Sequence, residues 1–334
     1  VFLLPPSTSL ATLAPIGMAI VPRRVLVAAG CAFAAAAATS ADAAHTRNIL
    51  ITGYWPPTNE MVRAFSTNAA LNPDGWIGQN WESRGFNLYS YFPTFSNPNC
   101  TSCGAGMGDL MVDYQDTSND WWIIANQIQP VAIITFSRTG NGPNDWICET
   151  NQYNRPMWVS DYIAPTQPTP APPDASVPAG TNRPTNLPVQ GIFDAIGASG
   201  LPITPEIDLK GDGGGFLSEF IAYHGVWYRD NHADIGDPTQ CVAAGHIHVG
   251  SSISWANAHE AAKVTLRVLT DHVHDLLAVA GDADFDGDVD ADDLTAVILH
   301  WGPCPAQPSG CLPDLDNNGF VDADDLTAVI LNWT

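Results

Sequence analysis

Gly213-Gly214-Gly215-Phe216-Leu217-Ser218-Glu219-Phe220-Ile221-Ala222-Tyr223-His224 is followed, twenty residues on, by Ala244-Gly245-His246-Ile247-His248-Val249-Gly250. The first stretch reads as a glycine turn opening a helix, with the Ser218 hydroxyl in its first turn. The second reads as a short buried strand with a histidine near its end. A helix start offers unpaired backbone N–H groups and the positive end of the helix dipole. Such N–H groups can also hold a developing oxyanion.

Working outward, the same alternation recurs. Asn48 to Gly53 and Pro130 to Phe136 are apolar runs of strand length, the latter the clearest buried strand. Gly85 to Phe92, Asp109 to Tyr114 and Glu206 to Leu209 are further candidate strands. Helices are expected over Glu60 to Ala70, Trp121 to Gln129 behind caps at Thr117 to Asp120, Val189 to Ala198, and Trp255 to Val279, stopping at Gly281. Eight prolines between Ala164 and Pro188 mark an extended loop or lid. Strands alternating with helices imply an α/β domain, a three-layer α/β/α arrangement around a mostly parallel sheet. Ligands in such folds bind at the carboxyl ends of strands. Gly53, Arg138-Thr139-Gly140 and His248 all fall there.

The 334 residues hold 12 Lys+Arg against 35 Asp+Glu, a formal net charge of -23. Phosphate backbones and anionic membrane surfaces both need cations, so nucleic acid and lipid headgroups are poor partners. Arg23-Arg24, an alanine-rich apolar run and Ser40-Ala41-Asp42-Ala43-Ala44 make a secretory signal over residues 1–44, with Met18 a plausible start. The apolar run is too short for a membrane span. A secreted, periplasmic or cell-surface protein is expected; Cys31 gives a lipoprotein signal as the alternative. Export permits disulfides. Cys100 and Cys103 form a tight pair or half of a zinc site, Cys304 and Cys311 bracket a Pro/Gly loop, and a Cys148–Cys241 pairing stays open.

From about Asn48 to Val279 the motifs resemble type I pyroglutamyl peptidases (pyrrolidone-carboxylate peptidases). Ile49-Leu50-Ile51-Thr52-Gly53 followed by an aromatic is similar to their first strand. Gly214-Gly215-Phe216-Leu217-Ser218-Glu219 resembles their nucleophile turn, with Ser218 in place of cysteine. Gly245-His246-Ile247-His248-Val249-Gly250 resembles their histidine strand, and Trp146-Ile147-Cys148-Glu149 matches the position of their glutamate. The resemblance implies a hydrolase over residues 45–280 that cleaves an amide bond, such as an N-terminal pyroglutamyl one, in a peptide or small amide. Its catalytic set would be Ser218, His248 and Glu149. A serine cannot ionise as a cysteine does, so His248 must act as general base during attack. The segment Tyr54-Trp55-Pro56-Pro57-Thr58-Asn59-Glu60 departs from the family's ring-binding loop, and the family's Ala-Arg-Ile-Pro-Asp-Asn segment has no counterpart. Structural readings stand beside the catalytic ones: Ser218 as a helix N-cap, His248 as a core histidine, Glu149 as a loop carboxylate, and the fold retained as a non-catalytic binding module. His246, His224, His232 and His259 raise a metal site, but without metal-binding spacing.

Residues 281–334 form a different region, with 12 of the 35 acidic residues from Asp282 onward and no Lys or Arg. Two twelve-residue loops repeat. Asp282, Asp284, Asp286, Asp288, Asp290 and Asp293 occupy positions one, three, five, seven, nine and twelve of the first. Asp314, Asp316, Asn318, Phe320, Asp322 and Asp325 do so in the second, with the position-seven residue offering its carbonyl. Glycine at position six allows the turn. Calcium takes six to eight oxygens from such a loop. Each loop leads into Leu-Thr-Ala-Val-Ile-Leu, and the region resembles type I dockerin modules. That resemblance implies a small all-α domain with two calcium loops, a Ca2+ requirement for folding, and a cohesin-type partner.

Overall fold

The computed structural model describes residues 45–139, 142–211 and 213–334. The signal segment read over residues 1–44 lies outside the described residues, as does Gly140. All described residues fall in one compact unit. Among them, no helix is long and apolar enough to cross a membrane.

The chain begins with strand β1 (Asn48–Gly53), a short helix α1 (Thr58–Val62), strand β2 (Asn87–Tyr91) and helix α2 (Tyr114–Ile128). Strands β3 (Ala132–Thr139), β4 (Asp145–Glu149), β5 (Asn151–Tyr153) and β6 (Asn182–Pro184) follow, then α3 (Val189–Ala198) and β7 (Thr204–Asp208). Helix α4 (Leu217–Asn231), strand β8 (Ala243–Gly250) and helix α5 (Trp255–Leu277) complete the α/β part. Six strands form one sheet in the order β2-β1-β3-β8-β4-β7. All neighbours are parallel except β4 and β8, which run antiparallel.

The apolar runs follow from burial on both faces. Ile49, Ile51, Ala132, Ile134 and Phe136 enter one core cluster with α1, α3 and α5. Leu50, Ile133 and Ala244 enter a second cluster, with Trp121 of α2 and Phe220 of α4. Period-two alternation sends successive residues to opposite faces, and here both faces are covered by helices. Cys148 and Cys241 belong to these opposite clusters and are buried free thiols. Cys100–Cys103 and Cys304–Cys311 are disulfides.

Local expectations fail where side chains take over backbone pairing. Asp109 to Tyr114 is not a strand: Leu110 N–H donates to Asp120 and Met111 N–H to Asp116, both at 2.8 Å. The cap of α2 is therefore Asp113, whose carboxylate accepts from Asp116 N–H at 2.8 Å, upstream of the expected caps. The helix expected over Glu60 to Ala70 breaks into α1 and a single 3-10 turn, Arg63–Phe65.

The C-terminal region is not all-α. Besides helices α6 (Ala291–Leu299) and α7 (Ala323–Leu331), it holds β9 (Gly302–Pro303) and β10 (Phe320–Val321), paired antiparallel. The chain leaves the second loop extended at Phe320. The Cys304–Cys311 bridge turns the linker back beside it, and Cys304 N–H donates to Gly319 O at 2.9 Å.

The acidic repeats pack directly on the α/β part. Phe285, at position four of the first loop, is 2% exposed and lies in the same core cluster as Phe86 and Leu269. Its ring stacks on His274 at 4.5 Å and meets Phe86 edge-on at 5.4 Å. Gly310 N–H donates to Glu82 O at 2.8 Å, and Arg84 reaches Pro308 O at 2.9 Å.

Candidate active site

The antiparallel β4–β8 pair sets the first two groups. Glu149 lies opposite His246 in register, and Ile147 opposite His248. Opposed residues and those two away share a face, so Glu149, His246 and His248 point to the same side. His248 Nδ1 lies 2.5 Å from Glu149 Oε1. This contact sets the carboxylate against Nδ1, on the side of the ring away from Nε2. Glu149 Oε2 is buried and has no hydrogen-bond partner.

His246 lies deeper and acts as a support. Its Nδ1 is 2.8 Å from Thr135 Oγ1 and its Nε2 2.8 Å from Ser137 Oγ. Burial, then the neighbouring His248, holds its pKa well below the usual histidine value. With both ring nitrogens engaged by β3, His246 is a neutral strut, its ring 4.6 Å from that of His248. Glu149, His246 and His248 cluster closely enough for an ion; both His246 nitrogens are taken by β3, whereas Glu149 Oε2 has no hydrogen-bond partner. His224, His232 and His259 each give Nδ1 to a backbone carbonyl, at Phe220, Tyr228 and Met61. These three histidines do not join the Glu149, His246 and His248 cluster.

Ser218 reaches the same cavity from the glycine turn. It is the second residue of α4; the N-cap is Phe216, with no side-chain cap bond. The N-cap reading of Ser218 is therefore set aside. Its Oγ donates to Gly213 O at 3.4 Å. The Gly213 main chain crosses directly over the imidazole–carboxylate pair. A Cβ there would stand 3.3 Å from His248 Cε1, 3.4 Å from Glu149 Oε1 and 3.2 Å from Glu219 Cβ. Ser218, His248, Glu149, Gly213 and Gly214 thus line one cavity of about 450 Å³. The three expected side chains line a single cavity; the imidazole and carboxylate are in contact, and the hydroxyl is bonded to the turn.

Residues not singled out in the sequence hold this turn. Glu219 is fully buried; its Oε2 accepts from Gly215 N–H at 2.9 Å, and its Oε1 pairs with Arg155. Burial raises its pKa despite that cation. A first-turn glutamate four residues past a glycine was the available signal, since it can reach back to the turn's N–H. Val159, just ahead of the proline-rich loop, clasps the same turn, its N–H donating to Gly215 O at 2.8 Å. Phe216 packs against Trp55 and Tyr162, both about 6.3 Å or closer between ring centres.

The two acidic loops have matching internal bonds. Asp282 accepts from Asp286 and Gly287 N–H, and Asp314 accepts from Asn318 and Gly319 N–H, at 2.9 to 3.1 Å. Asp293 Oδ1 accepts from Ala283 N–H and Asp325 Oδ1 from Leu315 N–H, both at 2.6 Å. Asp290 and Asp322 cap α6 and α7 in capping boxes with Asp293 and Asp325. Ligand oxygens of Asp282, Asp284 and Asp293 converge, as do those of Asp314, Asp316 and Asp325. Burial and carboxylate neighbours push Asp282 and Asp284 up to about 6. Asp284 Oδ1 and Asp288 Oδ1 are buried without hydrogen-bond partners. Crowded, partly orphaned carboxylate oxygens in a sharply turned loop fit a hard cation.

No protein-family model and no curated protein matches the chain. Among solved structures, it is similar to pyrrolidone carboxyl peptidase from Pyrococcus furiosus, with 15% identity over 68% of this chain and 99% of that one, at a TM-score of 0.48. Pyrrolidone carboxyl peptidase from Thermococcus litoralis is similar at 15% identity over 69% and 96%, TM-score 0.49. Pyroglutamyl peptidase I from Bacillus amyloliquefaciens is similar at 16% identity over 68% and 96%, TM-score 0.48.

Proposed function

We propose that this chain is an exported amidohydrolase in which Ser218 attacks the amide carbonyl. His248 Nε2 takes the serine proton and returns it to the leaving amine. Glu149 keeps His248 in the tautomer that has Nε2 unprotonated and stabilises the imidazolium that forms. The N–H groups at the start of α4 face the developing oxyanion. The observation that carries this reading is the buried 2.5 Å Glu149–His248 pair opening on the cavity that Ser218 also lines. Ser218 must leave the Gly213 carbonyl and turn to His248 when substrate binds. The choice of a pyroglutamyl amide as first substrate comes from the motif resemblance. Release of the chromophore from a pyroglutamyl anilide, abolished in Ser218→Ala, is the expected result. Equal turnover by wild type and Ser218→Ala ends the nucleophile assignment.

A second reading, a non-catalytic binding module, draws on the Ser218 Oγ bond to Gly213 O in place of one to His248. It predicts ligand binding with no turnover.

The C-terminal repeats are read as dockerin-like calcium loops. Asp282, Asp284, Asp286, Asp290 and Asp293 would hold one Ca2+ with the Asp288 carbonyl. Asp314, Asp316, Asn318, Asp322 and Asp325 would hold another with the Phe320 carbonyl. The bound ion would neutralise carboxylates that otherwise repel. The buried Asp284 Oδ1, which has no hydrogen-bond partner and only Arg47 at 3.9 Å as counter-charge, supports this. A cohesin-type partner is the assembly role this reading adds. Calorimetric titration with Ca2+ should show about two sites, one of them lost in Asp282→Ala/Asp293→Ala; no heat of binding sinks the calcium reading.

A further inference from the structure

Two cavities meet at the carboxyl end of β3. The first, described above, contains Ser218 and His248. The second, of about 430 Å³, is lined by Pro56, Cys100, Thr101, Ser252 and Trp255 among others. Arg138 and Thr139 belong to the walls of both. In a hydrolase whose nucleophile lies in the first cavity, an adjoining second cavity is where the other half of a cleaved molecule can sit.

Arg138 is unusual in this chain. Net charge is -23, yet Arg138 has no carboxylate partner among the described residues. Its Nη1 donates to Cys100 O at 3.1 Å and to Pro56 O at 3.5 Å, and its Nη2 to Thr101 O at 2.7 Å. Its guanidinium lies over the Trp55 ring at 4.7 Å. Carbonyls and a ring face orient the group without neutralising it. A guanidinium has five N–H donors, so these three bonds leave two without a protein acceptor. Two of the three carbonyls that hold it, those of Cys100 and Thr101, belong to the loop closed by the Cys100–Cys103 disulfide. The result is a half-buried, pre-oriented planar cation with no carboxylate bonded to it among the described residues, in the walls of two adjoining cavities, of which the first also carries Asp145, Glu149, Glu206 and Asp208 and the second has no acidic lining residue. That shape and charge match a carboxylate, which such a fork can bind through two parallel hydrogen bonds.

We propose that Arg138 binds a carboxylate on the leaving half of the substrate, seated in the second cavity. The natural substrates are then short peptides carrying a negative charge just beyond the cleaved bond. This rests on the hydrolase reading above. The carboxylate can be a free C-terminus or an acidic side chain.

The test compares kcat/KM on pyroglutamyl-alanine, its C-terminal amide, and the α-amide of pyroglutamyl-glutamate, with wild type, Arg138→Gln and Arg138→Lys. Wild type should favour at least one carboxylate-bearing substrate over the neutral amide by about tenfold or more, the scale of a charge-assisted hydrogen-bond pair. Whichever substrate is favoured identifies the source of the carboxylate. The ratio should fall to about one in Arg138→Gln and to an intermediate value in Arg138→Lys, which keeps the charge but not the fork. A wild-type ratio near one, or a ratio that survives in Arg138→Gln, overturns the proposal. If Arg138→Gln fails to fold, an unchanged ratio in Arg138→Lys does the same. Binding separates this outcome from failure of the hydrolase reading. Tryptophan fluorescence should show acetyl-alanyl-alanine binding more tightly than its amide to wild type and equally weakly to Arg138→Gln. The α-amide of acetyl-alanyl-glutamate against that of acetyl-alanyl-glutamine makes the same comparison for a side-chain carboxylate. Preferential binding of either acid without any turnover keeps the carboxylate site and removes the hydrolase; equal binding of acid and amide in both pairs removes the site.

Discussion

Glu149 Oε1 sits 2.5 Å from His248 Nδ1 even though Glu149 is paired in register with His246, two residues away. The reach is diagonal across an antiparallel pair, within the span long side chains cover. Replacing this acceptor should therefore matter more than its volume suggests. Glu149→Gln can present an amide N–H to Nδ1 and favour the wrong tautomer. Steady-state kinetics on a pyroglutamyl anilide should show kcat reduced by about 100- to 10,000-fold with KM changed little. An unchanged kcat would remove Glu149 from the reaction.

Gly213 and Gly214 make a paired test of the turn. A Cβ at Gly213 meets His248, Glu149 and Glu219 at 3.2 to 3.4 Å, whereas one at Gly214 meets nothing within 4 Å but requires a φ of +86°. Gly213→Ala should displace the pair, cost about 1–3 kcal/mol by overpacking, and lower kcat sharply. Gly214→Ala should cost about 1–2 kcal/mol of backbone strain and leave the His248–Glu149 contact in place. Urea melts beside kinetics check both; equal kinetic effects would contradict the geometry.

The buried histidine of α4 gives a pH prediction. His224 donates Nδ1–H to Phe220 O at 2.8 Å and is packed among Phe220, Trp122 and Trp227. Burial lowers its pKa to about 4. The unfolded chain protonates it near 6.5. The folded state is thus favoured fully above pH 6.5, and that advantage is lost as pH falls toward 4, by about 3 kcal/mol. Denaturant midpoints between pH 7 and 4 should fall less steeply in His224→Phe than in wild type. Parallel curves would show that His224 does not contribute.

Phe285 ties the acidic repeats to the α/β core, so if the proposed calcium loops bind their ion, calcium should act on both. Chelation is expected to lower a single cooperative melting transition that includes the α/β part, followed by near-UV circular dichroism. Phe285→Ala should destabilise that transition by about 3–5 kcal/mol through the cavity left between Phe86 and His274. A separate low-temperature transition confined to the repeats would refute the coupling.

The central strands could be read from the chain because β1 and β3 are apolar on both faces, a pattern helix-covered strands require. The glycine turn was equally legible, since Gly214 and Gly215 take positive φ that other residues rarely adopt, and the histidine strand was legible as a continuous buried run. The direction of β4 was not. Five residues beginning at Asp145 and ending at Glu149 carry no mark of orientation, yet that reversal is what puts the carboxylate beside the imidazole. Asp109 to Tyr114 mimics a strand because its sequence does not show that Asp116 and Asp120 take its N–H groups. Strands β9 and β10 are two residues each and escape any periodicity. Glu219 was overlooked because its work, holding Gly215 and Arg155, depends on a fold that brings them together.

The seating of Phe285 has an evolutionary corollary. A gene encoding this α/β region with the repeats deleted would leave an aromatic slot bare beside α5, inviting self-association. The repeats here cannot be shuffled onto another α/β domain, or off this one, as an interchangeable cassette would be. Loss or gain of the acidic segment would have to be accompanied by changes at Phe86, His274 and their neighbours.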